Sequence, residues 1–167
     1  NNSSAEINLS GWSLESTNIN VTFTSEYIFM PNTYLLLARS GSVYEEFLPW
    51  GEERLENSTD TIFLYDTANQ LVDFVEYSDS TPWPELADAG GSSLELLDPS
   101  FDNAEPTNWQ SSLYVGGTPS EQNFIPIYGC TDVNACNYIS NANVDDNSCE
   151  YPEENFNCLG ECLVEVD

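Results

Sequence analysis

The chain has 167 residues, enough for one good core and a small extra module but short of two ordinary domains. Against 29 Asp and Glu it sets two basic residues, Arg39 and Arg54, with no Lys and no His, for a net charge of −27. That balance repels nucleic acid and anionic membrane surfaces, and it suits a salty medium or divalent cations. Aromatic and branched residues are too plentiful for a disordered acidic tail. No stretch approaches the ~20 apolar residues that cross a bilayer, so no membrane insertion is expected.

Residues 1 to 124 read as short strands divided by turn residues. Trp12 and Leu14 alternate with Ser13 and Glu15, and Val21 and Phe23 with Thr22 and Thr24, the period-2 signature of half-buried strands. Tyr34 to Ala38 and Thr61 to Tyr65 are apolar on both faces and fit central strands. Val43 to Trp50 is the one segment that reads as a short helix. Asp66-Thr67-Ala68-Asn69 reads as a turn joining Thr61 to Tyr65 and Leu71 to Tyr77 in a hairpin. Leu94 and Leu96 alternate with Ser93 and Glu95 in a further strand. Gly, Pro, Asn and Asp clusters recur between these runs, as in a sandwich or barrel. Gly116 to Tyr128 reads as a domain exit and a short linker, the linker itself at 125–128, with Pro119 and Pro126 limiting its freedom.

Cys130, Cys136, Cys149, Cys158 and Cys162 all fall in the last quarter, spaced C-x5-C-x12-C-x8-C-x3-C. Clustered cysteines in a segment with little apolar content read as disulfide staples or a metal site. The lack of His and of paired C-x2-C knuckles favours disulfides over zinc. An odd count leaves one cysteine to pair outside this chain or to stay a thiol.

Catalysis has little to stand on. Without His or Lys there is no Ser-His or Cys-His pair and no lysine base. Glu45, Glu46, Glu52 and Glu53 are candidates for a glycosidase-type carboxylate pair by count alone. A non-enzymatic chain is expected. Oxygen ligands for calcium are the stronger chemical signal, because calcium takes six to eight oxygens from carboxylates, amides and carbonyls. Asp132, Asn134, Asn137, Asn143, Asp145 and Asp146 concentrate such groups around Cys130 and Cys149. The same Asx residues could instead close turns by bonding their own backbone. A second acidic loop, Asp98 to Glu105, reads chiefly as a structured turn. Trp50 and Trp83 stand in Pro-flanked loops, as candidate ligand-binding aromatics or as caps on open sandwich ends. Trp12 and Trp109 read as core.

Asn8-Leu-Ser-Gly-Trp-Ser-Leu14, Pro31-Asn-Thr-Tyr-Leu-Leu-Leu-Ala38, Asn57 to Asp66, Val72 to Tyr77, Ser93 to Pro99, Asn108-Trp109 and Gly116-Gly-Thr-Pro119 resemble, in order, the bacterial lamin-tail domain. The resemblance implies an all-β, immunoglobulin-like β-sandwich over residues 1–124, an accessory module of large secreted proteins. Its opening strands are not matched here. The expectation is a piece of a longer polypeptide, or a sheet completed by a strand from another chain. Gly129-Cys-Thr-Asp-Val-Asn-Ala-Cys136, continuing through Ala142 to Cys149, resembles a Cys/Asp-rich repeat of Bacteroidota surface proteins exported by the type IX route. It implies a small disulfide-rich, loop-dominated module over 129–167. Versions of that repeat with two cysteines imply a Cys130–Cys149 pair. Cys136 would then join Cys158 and leave Cys162 for a partner beyond the chain end. Asp-Ser/Thr acceptor patterns described for the same bacteria mark Thr61, Thr67 and Ser80 for O-glycosylation. Asn8, Asn20 and Asn57 match the eukaryotic N-linked pattern.

The role expected from these readings is structural, adhesive or assembly-related, within a large extracellular or cell-surface protein. Partners would be neighbouring modules, other copies of the same polypeptide, or surface polysaccharide. The alternatives are an accessory domain that targets a secreted hydrolase, and a carbohydrate-binding module.

Overall fold

The computed structural model describes residues 1–88 and 90–163; the end of the expected repeat, 164–167, lies outside them. The chain is all-β with a disulfide-bonded part. It divides into two compact units, Asn1–Phe124 and Ile125–Asp167. Among the described residues no helix is long and apolar enough to cross a membrane.

The first unit is built on a four-stranded antiparallel sheet. Its strands are β2 (Ser13–Glu15), β3 (Asn20–Thr22), β7 (Thr59–Tyr65) and β8 (Leu71–Ser78), in the order β3-β2-β7-β8. The β7–β8 hairpin forms because its turn residues satisfy the reversing backbone. Asp66 Oδ1 accepts the N–H groups of Ala68 (2.8 Å) and Gln70 (2.9 Å). Asn69 adopts φ 58°, a left-handed conformation that Asn tolerates better than most residues. A register shift between Leu64 and Tyr65 bulges the hairpin near this turn.

Smaller pairings complete the unit. β1 (Ile7–Asn8) pairs antiparallel with β4 (Ile28–Phe29), and β9 (Leu94–Leu96) with β10 (Trp109–Ser111). β5 (Leu37–Ala38) and β6 (Leu48–Pro49) run parallel. The expected helix at Val43 to Trp50 is therefore corrected: this segment ends as a strand. Pro49 disfavours the helical region for Leu48 and has no N–H to give. The donors on either side are used instead, with Leu48 N–H on Leu36 O (2.8 Å) and Trp50 N–H on Ala38 O (3.0 Å). The expected strand from Tyr34 to Ala38 is trimmed to its last two residues.

One face of the large sheet turns inward. Ile62 and Val75 on it are separated from Leu94 and Trp109 by a cavity of about 370 Å³. Among the described residues of this unit, Leu9, Ile19, Phe23, Ala38 and Trp83 are the buried apolar side chains. Among the described residues of the second unit the buried apolar ones are Cys130 and Ala135, so burial alone provides little cohesion there.

Candidate functional site

The second unit is held by covalent staples and amide clasps. Cys130 bonds Cys149 and Cys136 bonds Cys158, at sequence separations of 19 and 22. Strands β11 (Tyr128–Gly129) and β12 (Val144–Asp145) pair in parallel beside the first bridge. Gly129 packs closely against Ile139 and Ala142, where an added Cβ would sit 2.7 Å from Ile139 Cδ1 and 3.3 Å from Ala142 Cβ. Cys162 forms an isolated antiparallel bridge with Phe156.

The six residues expected as calcium ligands divide sharply. Asn143 Oδ1 accepts the Ile127 N–H (2.7 Å) while its Nδ2 donates to Ile125 O (2.9 Å). Asn137 Oδ1 accepts the Glu150 N–H (2.8 Å) and its Nδ2 donates to Ser148 O (2.6 Å). Both amides are committed at both ends to backbone, where they stand in for missing sheet. Asp132 Oδ1 takes the Asn134 N–H (2.9 Å) and Nδ2 (3.0 Å), and its Oδ2 takes the Tyr151 hydroxyl (2.7 Å). Asp145 Oδ1 caps the Asn147 N–H and Asp146 Oδ1 the Ser148 N–H. Asn147 closes this turn at φ 60°.

These turns leave an electrostatic signature. The Asn134 N–H, then the Tyr151 hydroxyl, hold the Asp132 carboxyl below its ordinary range. Ser148 does the same for Asp146. Accepting those bonds places Asp132 beside Tyr151, whose phenol is pushed up by that hydrogen bond. Among the described residues, no three His, Cys, Asp or Glu side chains converge as a metal-holding group.

The two loop tryptophans have different fates. Trp83 is corrected as a candidate ligand-binding ring: it is 7% exposed and lies against Trp109, with centroids 5.7 Å apart at 51°. An aromatic flanked by two prolines in a loop looks exposed in sequence, yet here the loop folds it into the core. Trp50 is half-buried and its Nε1 donates to Glu53 O (3.1 Å). Trp12 and Trp109 are half-buried as well, and Trp109 Nε1 donates to Asn103 O (2.9 Å). Of the expected glycan acceptors, Thr67 is exposed in the hairpin turn and Ser80 is exposed with its hydroxyl on Asp79 (2.8 Å). Thr61 is half-buried within β7.

Two buried carboxylates escaped sequence reasoning. Asp60 is 4% exposed; its Oδ1 accepts from Thr17 Oγ1 (2.7 Å), Thr17 N (3.1 Å) and Thr61 N (2.9 Å), and its Oδ2 from Glu56 N (3.3 Å). Burial pushes this carboxyl up, but the Thr17 hydroxyl and the three N–H groups outweigh it and hold it low. Glu95 is 3% exposed and receives Thr118 Oγ1 at 3.2 Å and Gln110 Nε2 at 3.5 Å. Both carboxylates tie loops to strands. Their only signal in sequence is a charged residue inside an apolar run, which a solvent-facing strand position produces equally well.

Comparison with family models, curated proteins and solved structures yields no match to this chain.

Proposed function

We propose that the chain is a non-catalytic structural, adhesion or assembly module of a large secreted or cell-surface protein. What carries this reading is the second unit, where two disulfides staple loops that have almost no apolar core of their own. Such bridges persist in oxidising, extracellular surroundings. The acidic balance supports the same setting and argues against nucleic acid as a partner. The lamin-tail and type IX repeat resemblances, with the immunoglobulin-like sandwich they imply, belong to this proposal. So do adjoining modules or further copies of the polypeptide as direct partners.

Calcium enters this reading as a stiffener of the loops, through the carboxylates of Asp132, Asp145 and Asp146. Asn137 and Asn143 already bond backbone through both ends of their amides. Thermal unfolding after chelation, under non-reducing conditions, tests it. A rise of several degrees at millimolar calcium but not magnesium supports the ion, since a ligand of the native state stabilises by mass action. The Asp145→Ala, Asp146→Ala double variant then loses the rise; no rise withdraws calcium and leaves these side chains as turn formers.

The module's setting is tested on intact cells of the source. An antibody raised against residues 129–163 is expected to label the cell exterior, with four thiols per chain reacting only after reduction. Confinement to the cytosol with those thiols already reduced would overturn the proposal. The alternative of a saccharide-binding accessory domain is favoured by one surface feature, the outward face of the large sheet.

A further inference from the structure

Directly opposite residues of antiparallel strands project to the same face. The register therefore lines up Asn20, Glu15, Phe63 and Phe74 in one row across β3, β2, β7 and β8. Thr22, Ser13, Tyr65 and Leu71 form the next row. This face is the reverse of the one carrying Ile62 and Val75, which borders the cleft shared with Leu94 and Trp109. Its rings form a short ladder. Phe63 lies 6.0 Å from Tyr65 at an interplanar angle of 25°, and 6.2 Å from Phe74 at 23°. The ladder is open to solvent at its outer end, with Phe74 39% and Leu71 51% exposed.

We propose that this face is a docking surface for a neutral polysaccharide. Three nearly parallel rings supply apolar area for the C–H faces of sugar rings. Polar groups flank them in the same rows: the Glu15 carboxylate, the Asn20 amide, and the Ser13 and Thr22 hydroxyls. Ser13 Oγ lies 3.4 Å from Glu15 Oε1, so donor and acceptor stand together in the strand that adjoins the rings. Sugar hydroxyls both donate and accept, and this mixture answers both needs.

Charge selects among occupants. With a net charge of −27, the protein repels acidic glycans and nucleic acids, and a copy seated face to face on this sheet would set Glu15 and Glu76 against like charges. A neutral glycan meets no such barrier. An added protein strand is opposed at the neighbouring edge. The Asp79 N–H bonds Ser58 O, so the ladder leaves Phe74 N–H pointing outward from the sheet. Asp73 Oδ1 already takes that donor at 2.8 Å.

The inference rests on the adhesion reading for its role, and its test separates the two. Native affinity electrophoresis of the full chain would use soluble mixed-linkage β-glucan, xylan and mannan, with alginate as the anionic comparison. Retardation by at least one neutral polymer and none by alginate is expected. Phe74→Ala should weaken the retardation about tenfold, the loss of one stacking contact. Phe74→Tyr should retain it, and so should Tyr34→Ala, a 45% exposed ring elsewhere on the unit. Circular dichroism of each variant confirms that the fold is kept. Migration unchanged by all three neutral polymers, equal retardation by alginate, or full binding by folded Phe74→Ala each overturns the platform. None of those results touches the extracellular setting, which the antibody experiment decides separately.

Discussion

The indole of Trp83 rests against that of Trp109, 5.7 Å between centroids and tilted by 51°. The contact joins a loop residue with prolines on both sides to the strand β10 that borders the cleft facing Ile62 and Val75. A large, 7% exposed ring at such a junction anchors the loop through burial rather than through ligand contact. Trp83→Ala is expected to destabilise the first unit by about 3–5 kcal/mol, the usual cost of removing a buried Trp. Chemical denaturation checks this. A loss under about 1 kcal/mol would return the ring to the surface.

Asp60 is the buried carboxylate among those held low in the folded chain, and it links the first unit to acid pH. Its pKa is held below the ordinary value in the folded chain, so its contribution is complete above the unfolded value and fades as pH falls through the folded one. Melting temperature should therefore drop on acidification below about pH 4. Asp60→Asn should lower stability at neutral pH by about 1–3 kcal/mol and flatten that acid slope. Calorimetry of both proteins from neutral to acid pH makes the comparison.

Reduction should act on one unit only. The first unit has no cysteine, whereas each bridge of the second closes a loop of about twenty residues, worth roughly 3 kcal/mol on a chain-entropy basis. With a reductant present, hydrogen exchange should rise sharply across 129–163 and stay unchanged in β7 and β8. Retained protection of the second unit would show that its amide clasps suffice.

Gly117 sits at φ 64°, and a Cβ there would come within 2.1 Å of Ser93 Oγ and 2.9 Å of Glu95 Oε1. Gly117→Ala should strain the backbone and disturb the buried Glu95, costing about 1–3 kcal/mol. Gly41 also has a positive φ but faces open space, so Gly41→Ala isolates the backbone component. A smaller loss at Gly41, measured by the shift in denaturation midpoint, is the expected result.

The β7–β8 hairpin was legible in sequence because two apolar runs either side of an Asp-x-x-Asn turn are local properties. The two-residue strands β1, β4 and β6 were not, since two residues carry no period, and β5 was legible only as the end of a longer run. The oxygen-rich loop around Cys130 and Cys149 was legible as composition. Which of its amides would be consumed by backbone was not, because Asn143 serves Ile125 and Ile127 across some sixteen to eighteen residues.

By itself the sequence determined the all-β character, the acidic surface and the cysteine-bearing second unit, since alternation, charge and residue type act at short range or by simple sum. The tertiary structure alone decided that Trp83 is core and that Asp60 binds three segments. It also decided that Phe63, Tyr65 and Phe74 share one face of the sheet. These depend on strand register and loop closure, where a shift of one residue would send each side chain to the opposite face.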